Sequence, residues 1–249
     1  MIIKDNSQLI DDFKGLLKGR LDGIDKLDSS TNNGRIYKQI LYVSFLDSLA
    51  ASIYPGRNNK SRFLSLVREF SNWEYGERVC LLHLGKMVTL VSDPELAKLR
   101  TYVLAKLKEW SQQQPLRKVL IQDLPQKKEI QEYWSKSNKE KGINYCLDDF
   151  THINLLYQLR NSLVHQFQSK GTELGTQIPD QPFYEFIVTM DKEKNFIPQK
   201  IELVYPTSFL KKLTDETFCK VINYFKKGNL NPFPYYYSGD YSLEHLNNS

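Results

Sequence analysis

The sequence is poor in cysteine, and the few cysteines are not spaced for cross-linking. Its three cysteines, Cys80, Cys146 and Cys219, lie far apart with no C-x-x-C pair. An odd count without paired spacing argues against a disulfide framework and against a zinc site. Cys80 lies in an apolar run at residues 79–82, so we expect it in the core. The cysteines therefore predict neither a metal site nor a disulfide.

Long apolar runs and several enzyme motifs are also missing. No stretch reaches the length of a membrane span, and polar residues follow Met1–Ile3 at once, which is not how a signal peptide begins. The chain contains no Gly-rich phosphate loop, no H-E-x-x-H and no G-x-S-x-G. We expect a cytoplasmic protein that uses no cofactor and no metal and does not contact a membrane.

The sequence does contain enough apolar material for a packed core. Hydrophobic residues make up 41% of the 249 residues and aromatic residues 12%, which favours a folded chain over a disordered one. This length fits one large domain or a core domain with elaborations. The net charge of +5 is mildly basic, and it permits a polyanionic partner without requiring one.

Apolar residues recur at helical spacing through the first part of the chain and predict five helices. These helices begin after an N-cap at Ser7, run over 35–54, open at Ser61, span 79–91 and start at Asp93 with Pro94 in the first turn. In the first helix three glycines at four-residue spacing line up along one side and predict close contact with another helix, namely Gly15, Gly19 and Gly23.

The second half of the chain changes character twice. Residues 112–146 are rich in Pro, Lys, Gln and Asn and indicate an irregular insertion, with a short strand at 119–121 and a short helix near 130–134. A strong helix follows over 147–168. Residues 182–205 then predict a β-hairpin, with strands at 183–190 and 200–205. A last helix opens at Pro206, and residues 231–249 form an aromatic tail. We therefore predict one mainly α domain over 1–249, a helical bundle with a β-hairpin inserted before the last helix.

The helix over 147–168 carries the most informative pattern. At 100° per residue, an apolar stripe follows one side of this helix: Leu156, Leu159, Leu163 and Phe167. A narrow polar arc lies away from it: Asn154, Gln158, Asn161 and His165. Arg160 lies at the edge of the stripe, and its long stem can swing the guanidinium toward that arc. An uncharged amide and imidazole face suits a cleft or an interface better than open solvent.

The pattern R-N-x-x-x-H, formed by Arg160, Asn161 and His165 on a late helix of a helical bundle, resembles the catalytic signature of HEPN domains. The resemblance covers the motif helix and the bundle architecture. It implies that Arg160 and His165 are catalytic and that Asn161 supports them. Family members include RNases of toxin–antitoxin, phage-defence and CRISPR systems, so it also implies RNA as substrate, a homodimer with facing motifs, and an antitoxin or regulatory protein as partner.

These residue types suit RNA cleavage without a metal. The 2′-hydroxyl must lose a proton as it attacks phosphorus, and the departing 5′-oxygen must gain one. An imidazole, with an unperturbed pKa of about 6.5, can serve either step near neutral pH. A guanidinium can hold phosphate through two hydrogen bonds and stabilise the charge of the transition state. One motif histidine per chain leaves a second proton-transfer group to be found, and His165 of a second copy is a candidate.

Other interpretations of the same residues stay open. Arg160 can pair with an acid elsewhere while His165 is a satisfied histidine. Two further alternatives are a non-catalytic HEPN-like module that binds RNA or a protein, and a helical interaction protein without a nucleic-acid role. Arg78 and His83 also fit a looser form of the motif, but the residues between them are apolar and predict a packed boundary position for His83. His152 lies on the apolar side of the motif helix, which predicts packing.

One position departs from the family pattern. Several HEPN toxins carry a tyrosine two residues after the motif histidine, and a partner nucleotidyltransferase modifies it. The residue at that position is Phe167, which has no hydroxyl to modify. Regulation by that route, and pairing with that kind of antitoxin, are therefore not expected.

Overall fold

The computed structural model describes residues 5–112, 118–134, 145–169, 171, 173, 178–190 and 196–234. Over these residues the protein is mainly helical, as the sequence predicts. The helices are α1 (Asn6–Asp25), α2 (Asn32–Ile53), α3 (Asn59–Phe70), α4 (Leu81–Leu90), α5 (Ala97–Gln112), α6 (Lys127–Gln131), α7 (His152–Gln166) and α8 (Thr207–Gly228). A small antiparallel sheet has the order β1 (Val119–Leu120), β2 (Phe183–Met190), β3 (Phe196–Val204).

The first three helices begin two or three residues earlier than the sequence analysis placed them. Asp5, not Ser7, caps α1, because its carboxylate accepts a hydrogen bond from the Gln8 N–H at 2.8 Å. Thr31 caps α2 and Asn58 caps α3 in the same way. Each cap is an Asp, Thr or Asn upstream of the predicted start, and any of these satisfies an otherwise unpaired N–H group of the first turn.

Helix α2 lies at the centre of the bundle and packs against α1, α3, α7 and α8. Its buried face includes Tyr42, Leu46 and Leu49, all at most 1% exposed. The predicted close contact along the glycines of α1 is wrong. A Cβ atom added at Gly15, Gly19 or Gly23 would meet no atom within 4 Å, so this side of α1 faces open space.

Residues 118–134, within the region predicted as an insertion, pack against the core through Ile121, Leu124 and Ile130. The short strand predicted there is present as β1, and the short helix predicted near 130–134 is present as α6, which lies three residues earlier. The chain is tied to the start of α4 by a hydrogen bond from the Val79 N–H to the Pro125 carbonyl, 3.0 Å long. Residues 113–117 and 135–144 of the same region lie outside the described residues.

The predicted hairpin is present and directly precedes the last helix. Strand β2 has its predicted bounds, whereas β3 begins at Phe196 instead of residue 200. The two strands pair antiparallel from Phe183 opposite Val204, with a register irregularity between Ile187 and Val188. The pairing of β1 with the other side of β2 was not predicted from the sequence.

None of the helices in the described ranges combines the length and apolar character that a membrane span requires.

The motif helix starts later than predicted. Residues Leu147–Phe150 form a separate 3₁₀ turn, in which the Asp149 carboxylate accepts a hydrogen bond from the Cys146 N–H at 3.0 Å. Thr151 is extended, and α7 begins at His152. The N–H of His152 donates to the Arg78 carbonyl at 3.0 Å. The chain after the turn is therefore anchored to the loop before α4, which sets the direction of α7.

Candidate functional site

The apolar side of α7 is buried, except at its last predicted position. Leu156, Leu159 and Leu163 have no exposed surface, whereas Phe167 is 65% exposed. The prediction that Phe167 belongs to the apolar stripe is wrong because α7 ends at Gln166. Phe167 itself adopts a left-handed backbone (φ 53°) in which its N–H still donates to the Leu163 carbonyl at 3.2 Å. The break in helical geometry turns the ring away from the stripe.

The polar arc of α7 divides into a buried and an exposed half. Asn154 is buried and donates from its side chain to the Thr151 hydroxyl at 3.0 Å. One turn later Gln158 is exposed, Asn161 is half-buried, and His165 near the end of the helix is exposed. Only the C-terminal half of the arc is therefore open to a ligand.

The structure brings the three motif residues together at that open end. The Nη1 atom of Arg160 donates to Asn161 Oδ1 at 3.0 Å and lies 3.5 Å from His165 Nε2. A guanidinium can only donate, so the contact with His165 is a hydrogen bond when the imidazole carries its proton on Nδ1. Asn161 and His165 are four residues apart and stand one above the other on the helix. This swing of Arg160 toward the arc agrees with the expectation from its place at the edge of the stripe.

A fourth residue, Asp47 of α2, belongs to the same cluster. Its Oδ2 atom forms an ion pair with Nη2 of Arg160, and the two side chains are only 12% and 11% exposed. That Arg160 pairs with an acid elsewhere was one of the interpretations left open from the sequence, but Asp47 was not identified as that acid. A signal was nevertheless present, because Asp47 is the only charged residue in the otherwise apolar and small-residue segment 40–53. A lone charge in a buried helix predicts an ion-pair partner, since an unpaired buried charge is strongly unfavourable.

The ion pair restricts what Arg160 can do. Both terminal nitrogens of the guanidinium already contact protein groups. Its Nε atom and the second carboxylate oxygen, Asp47 Oδ1, are buried and have no hydrogen-bond partner among the described residues. Removing one partner of a buried pair costs about 3–5 kcal/mol because the other charge is left uncompensated. A phosphate that displaced Asp47 from Arg160 would leave this carboxylate unpaired, and its binding free energy would be weakened by an amount of that order. We therefore expect the ion pair to persist when a ligand binds.

The looser motif formed by Arg78 and His83 has a structural role. Arg78 donates to the Leu124 carbonyl through Nη1, and His83 is half-buried with Nδ1 3.1 Å from Cys80 Sγ. Burial raises the pKa of the Cys80 thiol to about 11, which keeps the thiol protonated at neutral pH and unsuited to act as a nucleophile. The predictions of a core Cys80 and a boundary His83 are confirmed.

His152, at the other end of α7, is fully buried, and the prediction that it packs inside the core is confirmed. Its Nε2 atom lies 3.1 Å from the Tyr184 hydroxyl and its Nδ1 atom 3.3 Å from the Tyr205 hydroxyl. Tyr205 also donates to the backbone carbonyl of His152 at 3.0 Å. Burial, helped by the nearby His83, lowers the pKa of His152 to about 3. His152 is therefore a neutral residue that ties α7 to the sheet.

The described residues contain no group of three or more His, Cys, Asp or Glu side chains arranged to hold a metal ion. The site is thus a cluster of one acid, one guanidinium, one amide and one exposed imidazole at the junction of α2 and α7. Comparison with family models, with curated proteins and with solved structures finds no match for this chain.

Proposed function

We propose that this protein is a metal-independent endoribonuclease of the HEPN type, acting in the cytoplasm in phage defence, a stress response or a toxin–antitoxin system. The observation that carries the proposal is the meeting of Arg160, Asn161 and His165 at the exposed end of α7. The biological setting rests on the resemblance of the R-N-x-x-x-H motif to that family.

The chemistry assigned to His165 is proton transfer. His165 is exposed, so an RNA strand can reach its ring. In the tautomer that accepts from Arg160, the Nε2 lone pair faces the guanidinium at 3.5 Å, so an RNA 2′-hydroxyl must replace Arg160 Nη1 at Nε2 before His165 can take its proton. The side chains of Arg160 and Asn161 are hydrogen-bonded to each other, and their N–H groups can stabilise the negative charge that develops on the phosphate in the transition state. DNA lacks the 2′-hydroxyl and should not be cut by this route.

The proposed active form is a homodimer, in which His165 of a second copy supplies the other proton-transfer group. An apolar groove of about 450 Å³ between α1 and α2 supports an assembly, and its walls include Ile24, Leu27 and Leu41. Ser44, in the same groove, lies one turn before Asp47 on α2. The groove and the cluster therefore share one helix. An antitoxin or other regulatory protein is the further proposed partner.

A second candidate function is a non-catalytic HEPN-like module that binds RNA or protein. The ion pair between Arg160 and Asp47 favours it, because a guanidinium whose charge is already balanced attracts a phosphate less strongly. This candidate keeps the helical bundle and the exposed end of α7 as a binding surface, and gives Arg160 a purely structural role.

RNA cleavage in excess EDTA separates the two candidates. Wild type, Arg160→Ala and His165→Ala are compared with Gln166→Ala, the exposed neighbour of His165. The nuclease proposal expects wild type and Gln166→Ala to leave a 2′,3′-cyclic phosphate, and the other two variants, assayed below their melting temperatures, to cut RNA at least about 100-fold more slowly. If wild type binds RNA but cuts neither single-stranded nor structured substrates, the binding module replaces it. If it neither binds nor cuts, the chain is a helical interaction protein.

A further inference from the structure

Asp47 is the one member of the cluster to which the motif assigns no role. It comes from α2, far from the motif in the sequence, and reaches Arg160 across the packed interface between α2 and α7. Its side chain is 12% exposed, so Asp47 meets Arg160 in an environment with little water. An ion pair there is screened much less than one at the surface.

The planar guanidinium explains what this contact does to the site. An arginine side chain has several rotatable bonds, and α7 alone does not fix where its head group points. Because the guanidinium is rigid and planar, holding Nη2 against Asp47 also fixes the direction of Nη1. That direction is toward Asn161 Oδ1 at 3.0 Å and His165 Nε2 at 3.5 Å.

We propose that Asp47 is a positioning residue for cleavage, which holds Arg160 so that its Nη1 edge orients Asn161 and His165. This role rests on the proposed nuclease function and deepens it by adding a residue from a second helix to the site. Arg160 acts from its ion pair, through one terminal nitrogen, and does not grip the phosphate with both.

Asp47 does not itself transfer a proton to or from RNA. Its Oδ2 atom is occupied by Arg160, and its Oδ1 atom is buried. Neither oxygen is open to a 2′-hydroxyl. An autoinhibitory role, with the carboxylate standing in for a substrate phosphate, is the opposite interpretation, and it predicts that removing the charge increases activity.

The test is a double-variant cycle measured as kcat and KM on one RNA oligonucleotide, below the melting temperature of every variant. Asp47→Asn keeps the shape and removes the charge. We expect its kcat to fall about 100-fold, the order of loss caused by a misplaced catalytic group, with KM changed less than about 3-fold. Asp47→Glu keeps the charge and should recover part of kcat. Glu77→Gln, which breaks the exposed pair with Arg68, is the control and should match wild type.

The cycle also tests whether Asp47 acts through Arg160. In an Arg160→Ala background, Asp47→Asn should cause no further loss of kcat, since residues that act as a unit are not additive. If wild type cuts RNA and Asp47→Asn keeps its kcat, the positioning role is wrong and the nuclease proposal survives. A higher kcat in Asp47→Asn would replace positioning by autoinhibition. If wild type cuts no RNA, the nuclease proposal fails, and the positioning role fails with it.

Discussion

The two ends of helix α7 each carry a histidine, and their surroundings are opposite. His152 at the first position is fully buried between two tyrosine hydroxyls, whereas His165 near the last position is exposed beside a guanidinium. Burial lowers the pKa of His152 to about 3, so it stays neutral and serves packing. On one helix, access to solvent and the neighbouring groups therefore decide whether a histidine serves packing or is open to the proton transfer proposed for His165.

The largest effect that we predict is a loss of catalytic rate when the exposed histidine is replaced. We expect His165→Gln to lower kcat for RNA cleavage by about 10²–10⁴, the usual contribution of a general acid or base. Its stability should change by less than about 0.5 kcal/mol because the side chain is exposed. Cleavage rates and thermal melting check both parts. A variant that melts early would indicate that the loss of activity reflects unfolding.

The second effect concerns the ion pair that joins α7 to α2. Arg160→Ala should reduce the free energy of unfolding by about 3–5 kcal/mol, because Asp47 is left buried without its partner. Asp47→Ala combined with Arg160→Ala should be more stable than Arg160→Ala alone, since no uncompensated charge remains. Urea unfolding of the three proteins measures this. Equal stability of the single and double variants would contradict a buried pair.

The third effect is the pH dependence of the free energy of unfolding, to which the buried histidine contributes. The pKa of His152 is about 3 in the folded protein, below the value of about 6.5 in an unfolded chain. Between these values the unfolded state binds a proton that the folded state does not, so stability falls as pH is lowered from about 6.5 toward 3. His152→Asn should flatten the slope of unfolding free energy against pH by about 1.4 kcal/mol per unit. Urea unfolding at pH 4.5, 5.5 and 6.5 measures it, and an unchanged slope would show that His152 is not buried as a neutral group.

The smallest effect lies at the exposed end of α7. Phe167 has a left-handed backbone (φ 53°) and is 65% exposed. Phe167→Gly should therefore raise the unfolding free energy by about 0.5–1 kcal/mol, because glycine adopts this conformation without strain and the position suits a helix C-cap. Thermal melting tests this. A loss of more than 1 kcal/mol would mean that the ring packs as the sequence pattern suggested.

The sequence was informative wherever a pattern repeats along a helix or a strand. Helical spacing predicted the bundle, β-rich composition predicted the hairpin, and the position of Arg160 at the edge of the stripe predicted its meeting with Asn161 and His165. These features depend on residues close in the chain, and local geometry determines them.

The sequence was less informative where distant residues meet or an element ends. Asp47 joins the cluster across 113 positions of sequence, and its isolated charge within residues 40–53 indicated a partner without identifying it. The pairing of β1 with β2 likewise joins segments separated by helix α7. Phe167 was misplaced because periodicity was extended past the end of α7. Helix boundaries depend on individual caps, which a periodic pattern does not encode.

The most direct test of the account is cleavage of one RNA oligonucleotide in excess EDTA by wild type, His165→Gln and His152→Asn, at a temperature where all three are folded. We predict that wild type and His152→Asn produce a 2′,3′-cyclic phosphate, that His165→Gln cuts the RNA about 10²–10⁴ times more slowly, and that DNA of the same sequence is not cut. Cleavage that requires a divalent cation, or that proceeds equally in His165→Gln, would contradict it.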